Sequence, residues 1–268
     1  MIAVAARDRR GHGRGDGRRF MALVAHQIYY EQLSFWRNPQ SAVFTFAFPV
    51  VFVTVIGVLL GDAGRSPYYD GLSVLQYYVP TIAAVSVLGS CYGQLTVALA
   101  ARRQNGVLKR VRATPLPAWA YFTGLVAHCV LVSVADIILI VGIGRLFGVP
   151  LPTHWPAIGA ALVVGAASFC ALGVAAASMI SNSDAAPAVG QLVLFPLLFI
   201  SGTYLPIHSE VLNRVASWLP VRPFNEALMR PFAEHAGPDW RQLAVVAAWG
   251  LAGALAGIRR FRWDPRPG

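Results

Sequence analysis

Six stretches of this chain, each long enough to cross a bilayer, carry almost no charge: residues 41–60, 75–101, 118–144, 157–180, 185–202 and 242–258. About 20 apolar residues in helical form cover the hydrocarbon core of a membrane, and five of the six stretches contain no Asp, Glu, Lys or Arg. The third holds a single acid, Asp136, near its centre. With 56% hydrophobic and 13% charged residues in a total of 268, a water-soluble fold would lack the polar surface that keeps it dissolved. The expected fold class is an all-α polytopic membrane protein with six transmembrane helices.

Basic residues orient those spans. With both termini inside, 16 of the 22 Lys and Arg residues fall on the inner side and 6 on the outer, the asymmetry that marks cytoplasmic loops. A multi-pass protein of the cytoplasmic (cell) membrane with both ends in the cytoplasm is expected. The net charge of +10 then reflects lysine and arginine beside anionic headgroups of membrane lipids. No nucleic-acid recognition motif accompanies the charge, and no nucleic-acid partner is expected.

The segment 102–119, RRQNGVLKRVRATPLPAW, separates the second and third spans and holds five of the basic residues. Asn105-Gly106 offers a helix start, Leu108 and Val111 lie three apart on one face, and Pro115 and Pro117 stop the helix before the chain re-enters the membrane. This pattern describes a short helix lying across the cytoplasmic surface.

Ahead of the first span, residues 20–37 place Phe20, Val24, Ile28 and Phe35 on one helix face, with Tyr29, Tyr30 and Trp36 suited to headgroup depth. Gln27 and Glu31 interrupt that stripe. An interfacial helix is expected here, preceded by a disordered basic tail over residues 1–19 and matched by a second basic tail at 259–268. Arg18-Arg19-Phe20 resembles the start of a twin-arginine signal, but the apolar run stops at His26-Gln27 without a cleavage site, so the arm is expected to stay on the mature protein. The domain organisation read from this is one six-span unit over 38–258.

Little here suggests an active site. Lys109 is the only lysine and follows Leu108, which excludes a phosphate-cradling GxxxxGK loop, and HExxH, CxxC and GxSxG are all missing. Cys91, Cys129 and Cys170 fall in three separate spans without metal-ligand spacing, so they read as small packing residues with no disulfide and no metal. No catalytic residue and no cofactor are expected in this chain.

Three segments stand out together: Gly106-Val107-Leu108-Lys109-Arg110 running into Ala113-Thr114-Pro115-Leu116-Pro117, Phe195-Pro196-Leu197-Leu198-Phe199-Ile200-Ser201-Gly202 with Tyr204 and Pro206, and Leu219-Pro220 followed by Arg222-Pro223 and Glu226-Ala227-Leu228. In combination they resemble the membrane subunits of type 2 ATP-binding cassette exporters, particularly the daunorubicin-resistance permeases. The resemblance implies that the short cytoplasmic helix is a coupling helix that docks into a separate ATPase subunit, which supplies ATP and Mg. Its expected coupling residues are Gln104, Gly106, Leu108, Lys109, Arg110, Val111, Arg112, Thr114 and Pro115, with Leu108, Val111 and Leu116 as apolar anchors. Gln104 stands where the family often has an acid. The resemblance also implies a homodimer or a pair with a paralogous permease, twelve spans in all, exporting an amphiphilic drug or natural product. A lipid or lipid-linked polysaccharide is the alternative substrate, and a membrane-embedded enzyme or a channel the remoter reading.

Two further features bear on the pathway. Asp136 is costly at mid-membrane, by about 2.5 to 3.5 kcal/mol on insertion scales, so it should face protein or water. A substrate or proton role and a hydrogen bond to a neighbouring helix both fit. Asp136 joins Phe195, Pro196, Ser201, Gly202 and Tyr204 as a candidate pathway residue. Residues 203–240 hold two helical patterns, one with Val211, Leu212, Val215 and Trp218 on a face, the other with Leu228 and Phe232, and are expected as extracellular re-entrant helices between spans five and six.

Overall fold

The computed structural model describes residues 12–61, 64, 69, 71–114, 116–180, 182–203, 209–233 and 237–260. Pro115 and Tyr204, and the tails at 1–11 and 261–268, lie outside the described residues. Among the described residues all regular structure is helical: α1 His12–Trp36, α2 Pro39–Leu60, α3 Val74–Leu88, a π-helical turn Gly89–Gln94, α4 Leu95–Gln104, α5 Val107–Arg112, α6 Ala118–Leu146, α7 Trp155–Met179, a 3-10 turn Ser183–Ala185, α8 Ala186–Ile200, α9 Glu210–Ala216, α10 Val221–Ala233 and α11 Trp240–Arg260. Six of these units are long and apolar enough to cross a membrane: α2, the continuous run α3 to α4, α6, α7, the 3-10 turn with α8, and α11.

Local sequence accounts for the helix starts. Asn38 accepts from the Ser41 amide and Pro39 fills the first helical position of α2, where a missing N–H costs nothing. Ser73 and Gln76 exchange hydrogen bonds of 3.2 and 3.1 Å across the start of α3, satisfying two amides that the helix leaves unpaired. Proline also opens α7 and α8.

One boundary differs from the sequence expectation. α1 begins at His12, so residues 12–19 are helical backbone where a disordered tail was expected. Extending a formed helix costs far less than nucleating one, and the amphipathic stretch behind it supplies the nucleus.

The bundle is centred on the second span, where Val79, Ile82, Val87, Leu88 and Leu99 are at most 1% exposed. α7 and α11 run together along their length through small residues. A Cβ on Gly250 would collide with Ser168, and one on Gly253 would stand 2.9 Å from the Leu172 amide nitrogen, so the missing side chains are what bring the two backbones into contact. α10 inserts beside α3, α7 and α11. Its Phe224 is fully buried edge-to-face on Phe169, over Gly165, and Leu228 and Phe232 are buried below it. α9 stays at the surface with Val211 and Trp218 each 74% exposed. Outward-facing apolar side chains on α2, α8 and α11, among them Val58, Leu192 and Ile258, would drive aggregation in water and are the solvated face in lipid.

Candidate functional site

At the basic end of the bundle, α4 passes into α5 through Asn105 and Gly106. Gly106 adopts φ +68°, a left-handed conformation that costs other residues about 1 to 2 kcal/mol. Leu108 is fully buried, and Val111 and Leu116 pack partly buried beside it in the chain's own core. For Leu108 this replaces the expected role of anchor for a partner: a six-residue helix over the bundle end gains more from burying its leucine inward than from offering it to solvent. The outward face carries Val107, Lys109, Arg110, Arg112 and Thr114, all exposed. Thr114 closes the helix by donating to the Val111 carbonyl at 2.6 Å.

Two of the basic residues in this segment face inward. Arg103 is 3% exposed and donates to the carbonyls of Ala177, at 3.1 Å, and Ile180, capping the unpaired carbonyls at the end of α7. Arg102 grips Glu31 of α1 with two nitrogens, at 2.6 and 2.8 Å, and reaches the Tyr121 hydroxyl at 3.0 Å. Gln27 donates to the same Glu31 at 2.9 Å and fits over Gly124, where a side chain would strike it. The polar residues that interrupt the α1 stripe are thus its contact with α6 and α4. Gln104 accepts from the Ser183 amide at 2.7 Å, joining the end of α4 to the turn before α8.

A cavity of about 900 Å³ adjoins this network, walled by α1, α2, α3, the π turn, α4, α6 and α8. Glu31, Arg102, His128, Ser86 and Gln191 bring polar groups to its lining, and Phe44, Phe48 and Phe195 bring aromatic rings. Gln94 spans it to Thr45 at 2.6 Å. The Nδ1 of His128 and the Oγ of Ser86 are buried without a hydrogen-bond partner among the described residues. Since Glu31 and Arg102 neutralise each other, the lining offers an uncharged mixture of apolar surface and hydrogen-bonding groups.

The other pathway residues separate. Phe195 lines the cavity, while its neighbour Pro196 is exposed within α8. Ser201 and Gly202 are buried in the turn that ends α8, not in the expected span: Ser201 bonds Leu198 and Thr203, and the Gly202 carbonyl accepts from Tyr77 at 2.6 Å. Asp136 is 1% exposed, its Oδ2 lacks a partner among the described residues, and it is not part of the cavity wall.

The ABC-2 type transporter family model matches residues 23–232, a range that takes in the cavity, α5 and α10. The chain belongs to the ABC-2 type transporter family. Among similar proteins, YvfS of Bacillus subtilis, named as a transport permease, is 23% identical over 65% of this chain and 71% of its own length. YbhR of Escherichia coli, named as a multidrug ABC transporter permease, is 23% identical over 73% of this chain. YadH of Escherichia coli, named as an inner membrane transport permease, is 26% identical over 58% of this chain. The chain spans 55% of the length of YbhR and 62% of that of YadH. ABC-2 membership makes this a multi-pass transporter permease, a type of subunit that pairs with an ABC ATPase.

Sequence reasoning missed the Glu31–Arg102 pair, although an acid inside an otherwise amphipathic stripe was the available signal. It also missed the convergence of the three cysteines. Spacing along the chain carries no trace of that, because each span contributes one.

Proposed function

We propose that this permease exports an amphiphilic drug or natural product across the cytoplasmic membrane, energised by a separate ATPase that docks on α5, with both termini cytoplasmic. The observation that carries this reading is a cationic helix, seated on the bundle by its buried leucine, that continues directly from the helix whose Arg102 lines the cavity. α5 is fixed to the bundle by buried Leu108 and by the left-handed Gly106, so a push on its Lys109–Arg110 face passes into α4 and hence to Arg102 in the cavity lining. A lining without net charge that includes aromatic rings suits an amphiphile with hydrogen-bonding groups, and the name of YbhR as a multidrug permease supports a drug over a lipid. Two copies, or two related permeases, complete the assembly.

The test is a comparison of two variants purified with the native ATPase. Lys109→Glu with Arg110→Glu reverses the exposed charge and leaves the core alone; it is expected to lose ATPase co-purification and ATP-dependent efflux by tenfold or more with an unchanged elution profile. Leu108→Asp buries a charge and is expected to lose folded protein instead. A charge-reversed variant that holds the ATPase at wild-type strength sinks the docking assignment.

A further inference from the structure

All three cysteines of the chain meet in the middle of the bundle. Cys91 comes from the π turn, Cys129 from α6 and Cys170 from α7, and their sulfur atoms lie within 4.8 Å of one another. All are free thiols and at most 5% exposed. The convergence depends on two local features. The wide π turn, a device frequent at functional sites, presents Cys91 towards α6, where Ser133 Oγ lies 3.7 Å from its sulfur, and leaves the Ser90 carbonyl to accept from Cys129 Sγ at 3.9 Å. Gly173 lets α7 approach, since a Cβ there would already stand 3.1 Å from the carbonyl oxygens of Cys91 and Tyr92; Cys170 lies one turn away on the same helix.

We propose that these thiols form a binding site for a trivalent metalloid of the arsenic(III) type. Soft thiolates select soft centres, and charge at membrane depth selects among them. Three thiolates leave a net charge of −1 around a divalent ion and −2 around copper(I), and a bare charge at mid-membrane is expensive. Around arsenic(III) the sum is zero. Three ligands also complete arsenic(III), whereas a structural zinc site takes four. The chemistry is ligand exchange: As(OH)3 and three thiols give As(S-Cys)3 and three waters. Three As–O bonds break, three As–S bonds form, each thiol proton leaves with a departing hydroxide as water, and nothing is oxidised or reduced. Cys129 and Ser90 belong to the cavity wall, so uncharged As(OH)3 has a route from the cavity to the first sulfur. Bound metalloid ties the π turn, α6 and α7 together. This inference does not depend on the proposed export function.

The experiment uses the full chain in lipid nanodiscs, incubated with arsenite, desalted, and measured for arsenic by mass spectrometry and for coordination by arsenic-edge X-ray absorption. One arsenic per chain with three sulfur neighbours is expected, together with a raised Tm. Because the chain has no other thiol, Cys91→Ala, Cys129→Ala and Cys170→Ala should each abolish the three-sulfur signal while the elution profile reports whether the variant is folded. The wild-type spectrum decides the matter even if a variant fails to fold. Oxygen-coordinated, two-sulfur or substoichiometric arsenic overturns the site, and retention of zinc or copper(I) by a chain that refuses arsenic overturns the metalloid assignment.

Discussion

Glu31 and Arg102 form the pair on which the basic end of the molecule is organised. Side-chain exposures of 7% and 24% put it between a surface bridge and a buried one, so removing one partner leaves a poorly solvated charge. Glu31→Ala is expected to destabilise by about 2 kcal/mol, read as a lower Tm in detergent. Replacing both residues by Met should recover much of that loss, and a double-mutant cycle measures the coupling directly. Asp136 is a different kind of buried acid. Because it stands outside the cavity wall, Asp136→Asn is expected to preserve both assembly and efflux, the amide keeping volume and hydrogen-bonding capacity. A tenfold fall in efflux by an assembled complex, about 1.4 kcal/mol, would give the carboxylate a part in transport. Its presence was legible in the sequence as an expensive exception, but its surroundings were not, because they are set by helices far away along the chain.

Among the elements, the α7–α11 pair shows how much small residues decide. Gly253→Leu would force a side chain against the Leu172 and Ala171 main chain, which cannot yield, and is expected to cost about 2 kcal/mol. Gly142→Ala, on the open face of α6 with nothing within 4 Å, should be neutral or slightly stabilising. Thermal melts of the two variants side by side check the contrast. The glycines of this seam, Gly250, Gly253 and Gly257, stand in the sequence at the spacing of one helix face. The π turn could not be read from sequence, since Gly89-Ser90-Cys91-Tyr92-Gly93-Gln94 lies inside an unbroken apolar run where one extra residue per turn leaves hydropathy unchanged. Likewise, both patterns in 203–240 show an apolar stripe in the sequence and both were expected to be re-entrant, but only α10 packs against α3, α7 and α11 while α9 keeps its stripe exposed.

For the whole molecule, six spans and their length followed from the chain because hydrocarbon thickness and backbone hydrogen bonding leave few alternatives. The cavity did not, because its walls come from helices brought together only by packing. Orientation is open to a direct check. The native thiols are buried and should stay silent, so cysteines introduced at exposed Ser209 and Ala113 report alone: the first is expected to react with an impermeant reagent from outside intact cells, the second only after the membrane is opened. Labelling at position 113 in intact cells would reverse the topology and with it the export direction.

Neighbouring arginines at the end of α4 will also drift differently as such chains diverge. Arg103 reads main-chain carbonyls, which every residue type supplies, so the identities of residues 177 and 180 are not fixed by its charge. Arg102 reads a carboxylate, which only two residue types supply. Chains that lose the acid at position 31 should therefore change position 102 as well, leaving paired substitutions in sequence comparisons at one arginine and none at the other.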